Sequence, residues 1–317
     1  MSLTGEPDAN CCPVCRGAPG RTIYADARDP ITLETFRVVE CSACSVVYTA
    51  PRPPVMDRFY PRQYRAYGRV VTRVLSMLYN LRTARWAGLK PEGGNVLEVG
   101  CGPGLMLAAF HRRGWKVLGI ERNEAVAGAA RQALGLEIVT TPVEQLPVDS
   151  RFDLIVMFQV FEHLGDPMPV LRECARRLAP GGRLLINVPN FASWQSRFAG
   201  DRWLHLDVPR HLNHFTPETL AATLERAGLQ LADLGFVSLE HDPYGWVEST
   251  ISMVVGRTNT LTRFLEGLDP FGPRVAFSFA LGALLAAPAT LLAGASWLAR
   301  SGALMEATAV RSAAAEE

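Results

Sequence analysis

The sequence predicts an α/β protein built on a doubly wound, mostly parallel sheet, and three observations carry that prediction. Asn95-Val96-Leu97-Glu98-Val99 is an apolar strand that runs into Gly100-Cys101-Gly102-Pro103-Gly104 and on into a helical pattern from Leu105 to Arg113. Val117-Leu118-Gly119-Ile120-Glu121 is a second buried strand ending in a carboxylate. It lies about twenty residues past the first, where doubly wound folds hold the acid that bonds ribose hydroxyls. Phe152 to Gln159 adds a third apolar run, and Leu178 to Asn190 supplies a helix end, a Pro180-Gly181-Gly182 turn and a further strand.

Each element has its local reason. Alternate glycines let the backbone approach a ligand and adopt dihedrals closed to other residues. The helix start behind them offers unpaired N–H groups to a carboxylate or phosphate. A dinucleotide fingerprint would need its third glycine at position 105, which is Leu105, so the loop is not of the nicotinamide kind. The apolar spacing of Val70, Val74, Leu78 and Leu81 predicts a helix from Val70 to Leu89 that opens this core.

From Asn95 to Asn190 these segments resemble, in order and spacing, the class I S-adenosylmethionine-dependent methyltransferases. The resemblance implies a Rossmann-like sheet over 91–240 with S-adenosylmethionine as cofactor. It assigns the methionine end to Gly100, Cys101, Gly102 and Gly104, the cofactor's amino group to Glu98 and the ribose to Glu121. Arg122 and Gln159 join that set. At the third strand, Glu137 to Thr141, the family's usual aspartate is missing, and Glu144 is the candidate for the adenine corner. The sixth strand is expected around Leu229 to Leu239. No pattern for a seventh stands out, and the alanine-rich 301–317 reads as a disordered tail.

Cys12-Pro13-Val14-Cys15 and Cys41-Ser42-Ala43-Cys44 are two CxxC turns. Each sets two thiolates on one side of a metal, and two such turns complete a tetrahedron. Residues 1–50 are therefore expected to form a zinc ribbon with Cys12, Cys15, Cys41 and Cys44 as ligands. Four thiolates leave no open coordination position, so the zinc is structural. A redox CxxC would sit by a βαβ unit, which this segment lacks. Cys11 lacks the spacing to Cys15, and Cys101 and Cys174 fall outside the module. Residues 51–90 read as a proline-rich connector, an aromatic segment (Phe59, Tyr60, Tyr64, Tyr67) and the opening helix. A ribbon on such a core resembles bacterial methyltransferases associated with sugar or cell-surface polysaccharide biosynthesis, in which the aromatic segment tends to cover the cofactor cleft.

Methyl transfer is a displacement at a sulfonium carbon, so its main demand is alignment of the acceptor. A hydroxyl or carbon acid also needs a base, for which histidine is matched to neutral pH. His163 follows the fourth strand on the carboxyl edge of the sheet, where such folds place ligands. Trp203 to Leu220 resembles the acceptor side of the family, with His211 between Arg210 and a helix start at Thr216-Pro217 that His214 precedes. His211, His163 and His214 are the catalytic candidates, and Arg210 is a candidate for an anionic group such as a sugar-nucleotide phosphate. The expected acceptor is a small molecule or glycan: a sugar, nucleotide-sugar or lipid-linked intermediate. The alternatives are an RNA methyltransferase that uses the ribbon for RNA binding and a noncatalytic scaffold that has kept the fold, against which the intact glycine loop with Glu98 and Glu121 argues.

With 32 Lys+Arg against 31 Asp+Glu, the net charge of +1 gives no reason to expect nucleic acid as partner. An RNA-gripping ribbon would be basic, whereas Arg16, Arg21, Arg28 and Arg37 are offset by Glu6, Asp8, Asp26, Asp29, Glu34 and Glu40. Met1 to Asn10 carries no secretory signal, and a cytoplasmic location is expected. After a helical extension at 241–274, residues 275–300 form a charge-free apolar stretch between Arg274 and Arg300, long enough to cross a hydrocarbon core of about 30 Å. Pro288 is expected to kink it. A kinked span, a shallow hairpin, or a buried or dimer-forming helix all fit, with association at the cytoplasmic face of the membrane as the expectation.

Overall fold

A computed structural model describes residues 10–60, 69–88 and 90–312. An antiparallel meander of β1 (Pro19–Arg28), β2 (Thr35–Cys41) and β3 (Val47–Ala50) carries the cysteine turns, and α1 (Arg69–Ala87) follows. The core is laid down as β4 (Asn95–Val99), α2 (Leu105–His111), β5 (Lys116–Ile120), α3 (Glu124–Leu134), β6 (Ile138–Val139), β7 (Phe152–Phe158), α4 (Pro167–Arg177) and β8 (Leu178–Pro189). Then come α5 (Trp194–Ala199), β9 (Asn213–His214), α6 (Pro217–Glu225) and β10 (Leu229–Gly235). The chain closes with α7 (Asp242–Val255), α8 (Thr260–Leu265), α9 (Pro273–Leu298) and β11 (Leu304–Arg311).

The main sheet has seven strands in the order β10-β11-β8-β7-β4-β5-β6, with β4 to β8 parallel and β11 antiparallel to both neighbours. Helices cover both faces, so its central strands read as unbroken apolar runs. Along β7, Leu154, Val156 and Phe158 pack with Trp86, Phe110 and Trp115 under α1 and α2. Ile155 and Met157 point the other way, into the cluster holding Leu171 of α4 and Leu220 of α6. Thr216 caps α6 through a reciprocal bond with Thr219, and Pro217 takes the first helical position as its fixed φ favours.

The C-terminus corrects the expected disordered tail. Leu304 to Arg311 is the seventh strand, inserted between β10 and β8, with Leu304 opposite Pro189 and Val310 opposite Arg183. Met305, Ala307 and Ala309 face the core, while Glu306 on the other face meets Arg82 of α1. That period of two was present in the sequence, but small alanines disguised it as low complexity. α7, α8 and α9 are thus an insertion in the connection from β10 to β11. α9 runs as one helix through Pro288, so the hairpin reading falls.

Within this insertion Asp242 and Glu248 are buried carboxyls, each pushed up to about 7 by burial. Trp297 Nε1 donates to Asp242, while Tyr244 Oη and the Leu261 amide donate to Glu248. In the folded chain they hold a proton that the unfolded chain releases near pH 4, so they cost stability as pH rises from about 4 to about 7. Glu248→Gln should therefore gain on the wild type across that window by roughly 1–3 kcal/mol, read as a Tm difference that widens between pH 5 and pH 8. A difference constant with pH would exclude this titration.

Candidate active site

The glycine loop leaves β4 at its carboxyl end. Gly100, Gly102 and Gly104 all have positive φ (71°, 51° and 73°). A Cβ on Gly100 would lie 2.5 Å from Val160 Cγ2, so both dihedral and space demand glycine there. Gly100→Ala is expected to introduce about 1–3 kcal/mol of strain, lowering Tm and weakening S-adenosylmethionine binding in calorimetry; wild-type affinity would show that the loop does not hold the cofactor.

Glu121 stands at the end of β5, where its carboxylate accepts from the Gly102 amide at 3.1 Å and the Asn123 amide at 2.9 Å. The carboxylate thus ties the loop to the start of α3. Glu98 is buried at the end of β4. Cys101 is also buried, its thiol pushed up by that burial, and its backbone N–H donates to Ile120 O. Gln159, at φ 54°, donates to Asn187 of β8 and locks the turn after β7. Glu144 follows β6 in a short 3-10 turn over Val143–Gln145. Val143 takes the inward position of its turn, and Glu144 lines a groove with Glu173 and Arg176 of α4, Gly228 and Arg311.

The acceptor side is assembled from three distant segments. His163 ends a short 3-10 turn after β7, and its Nδ1 lies 2.8 Å from the carbonyl of Arg210. His211 Nδ1 lies 2.8 Å from the carbonyl of His205. A carbonyl can only accept, so both rings carry the proton on Nδ1 and keep Nε2 as the basic nitrogen. The rings meet edge to face at 4.7 Å. His211 Nε2 lies 4.0 Å from Glu162, which is 1% exposed, and 3.9 Å from Asp207. Burial alone would raise Asp207, but the Arg210 guanidinium holds it well below the usual carboxylate range.

Two candidates acquire different roles. His214 is buried 3.0 Å from Thr49 Oγ1 of β3, and burial pushes it down to about 3, so it braces the fold instead of serving as a base. Arg210 is 5% exposed; it donates to Asp207, to Asp29 at 3.1 Å and to Phe59 O at 2.6 Å, so it clamps segments together and does not present itself to an anion.

Of the aromatic segment named from the sequence, Tyr60 is the residue that reaches the site. Tyr60 lies between the two halves of the cleft, with Arg122 5.8 Å over its ring and its hydroxyl 3.5 Å from His163 Nδ1. Tyr64 and Tyr67 lie outside the described residues. Thr49 and Asp29 were missed, because nothing local marks a ribbon residue as a partner for groups some 160 to 180 positions away.

The four cysteines converge as their spacing required. Cys12 and Cys44 sulfurs are 3.6 Å apart, and Cys15 and Cys41 sulfurs 3.4 Å. A zinc tetrathiolate with bonds of about 2.3 Å has edges near 3.8 Å, so the site fits that ion. Amides of Gly17 and Ala43 point at the Cys15 and Cys41 sulfurs. The ribbon is fused to the acceptor side: β3 pairs with β9, and Thr49 Oγ1 donates to His211 O at 2.8 Å.

A seven-stranded sheet of this order, with a glycine loop and paired acids at the ends of β4 and β5, defines a Rossmann-like S-adenosylmethionine-dependent methyltransferase. The chain belongs to the methyltransferase domain family, which it matches over residues 67–234. It is 28% identical over 260 residues to a ubiquinone biosynthesis O-methyltransferase of Nitrobacter winogradskyi, covering 77% of this chain and 92% of that one. It is 32% identical over 161 residues to the enzyme of that name in Xanthomonas axonopodis, covering 47% and 67%. Among solved structures, an S-adenosylmethionine-dependent methyltransferase from Archaeoglobus fulgidus is 20% identical, with a TM-score of 0.48 over 74% of this chain and 93% of that one.

Proposed function

We propose that the protein transfers the methyl group of S-adenosylmethionine to a hydroxyl oxygen of a small phenolic acceptor of the quinone-precursor kind. The observation that carries this is the pairing of His163 with His211, backed by Glu162, at the sheet edge where the glycine loop opens. The names of the two relatives favour a phenol over the sugar, nucleotide-sugar or glycan acceptor expected from the ribbon.

In this reading Glu98, Gly100, Cys101, Gly102, Gly104, Glu121, Arg122 and Gln159 form the cofactor half. The cofactor, when bound, supplies an electrophilic methyl group. His163 Nε2 takes the acceptor's proton, its ring held by the Arg210 carbonyl. The Glu162 and Asp207 carboxylates beside His211 favour positive charge on the imidazole pair as that proton arrives. Tyr60 covers the cleft. Zinc occupies the four-thiolate ribbon in a structural role, nucleic acid takes no part, and 275–300 holds the enzyme at the cytoplasmic face of a membrane.

Methyl-labelled S-adenosylmethionine incubated with fractionated cell extract tests the assignment. Label should enter phenolic quinone precursors in the lipid phase; label confined to glycan or RNA would replace the acceptor.

A further inference from the structure

The helix α9 presents an apolar stripe with a repeat of seven. Phe277, Leu284, Leu291 and Leu298 are 54%, 74%, 75% and 89% exposed. Its opposite face is bound to the body along its length. Gly282 sits against Val247, Ile251 and Leu261, Ala289 and Ala293 pack on Trp246, and Trp297 bonds Asp242.

Topology removes the spanning arrangement. Residues 299–303 join Leu298 to β11 and reach at most about 20 Å, short of a hydrocarbon core of about 30 Å. Because β11 is locked between β10 and β8, both ends of α9 stay on the side of the catalytic body. The helix, about 39 Å long at 1.5 Å per residue, lies along that body with one face outward.

We infer that α9 docks flat on an anionic lipid surface, inserted to the depth of its outward face. Between Phe271 and Ala303 the only charges are Arg274 and Arg300, one at each end of the helix. Arginines bracketing an apolar face suit anionic headgroups. A second copy suits it less: pairing two such helices brings arginines together with no acid in the segment to offset them. Other apolar side chains of the insertion and its neighbourhood are exposed as well: Met253 and Val254 on α7, Leu265 on α8 and Phe198 on α5, whose ring lies 5.5 Å from Trp246.

The insertion that carries α9 adjoins the cleft through its first residues. β10 and β11 meet at the same sheet edge as the end of β8, and His241, just before α7, packs its ring on Phe158 and on His205. Docking therefore sets the cleft at the headgroup level, where a lipid-phase acceptor is reached without leaving the bilayer; this last step rests on the phenolic reading above.

The full-length protein should sediment with phosphatidylcholine vesicles containing phosphatidylglycerol, less with phosphatidylcholine alone, and be released by alkaline carbonate. Leu284→Glu with Leu291→Glu should cut vesicle binding at least about tenfold, with zinc content and Tm unchanged. It should methylate a water-soluble phenol normally and a vesicle-embedded one poorly. Retention after carbonate overturns the flat arrangement. Absence of vesicle binding, with a dimer that the double variant dissolves, assigns the face to a second copy and overturns docking. If neither phenol is methylated while vesicle binding and its loss hold, the acceptor reading fails and docking stands.

Discussion

Replacing His163 with alanine is expected to lower kcat by about 10²–10⁴-fold, the range for losing a positioned general base, with S-adenosylmethionine affinity unchanged. The expectation rests on separation of tasks. His163 is bonded to the Arg210 carbonyl on the acceptor side, whereas the glycine loop is held by Ile120 and Glu121 on the cofactor side. Free imidazole should restore part of the lost rate if the ring acts as a base. A loss in KM alone, with kcat retained, would make His163 an acceptor-positioning group and shift the proton to another residue.

Removal of the metal from the ribbon, by chelation or by Cys12→Ser with Cys41→Ser, should cost at least about 100-fold in methyl transfer and lower Tm, since structural zinc is folding free energy. The route is short. β3 supplies Thr49, which donates to the His211 carbonyl and bonds His214, and Val47 to Tyr48 pair with Asn213 to His214. Once β3 loosens, the backbone that aims His211 loses its support, and misplacement of about 1 Å in an aligned displacement costs some 100-fold. Cofactor binding should persist within a few fold, because its loop is supported by β5 instead of the ribbon. Equal loss of cofactor affinity and turnover would mean that the ribbon supports the whole domain and has no particular tie to the acceptor side.

Local chemistry made much of this molecule legible. The glycine loop, the acids Glu98 and Glu121, the Thr216-Pro217 cap and the two CxxC turns each depend on short-range geometry: positive φ, a missing N–H, or a two-residue thiolate spacing. Such constraints act within a few residues and so leave a mark in order and spacing. The pairing of His163 with His211 was legible only as two separate candidates, because a contact between segments nearly fifty residues apart leaves no periodic trace.

Tertiary structure alone decided the rest. His214 and Arg210 look like chemistry in one dimension, yet burial against Thr49 and Asp29 makes them struts. Residues 304–311 looked like a tail because alanine carries little hydrophobic signal, and only the gap between β10 and β8 makes a strand of small residues favourable there. That insertion also determines that the apolar helix before it lies along the body, since its length permits crossing a bilayer and only the anchoring of both ends forbids it.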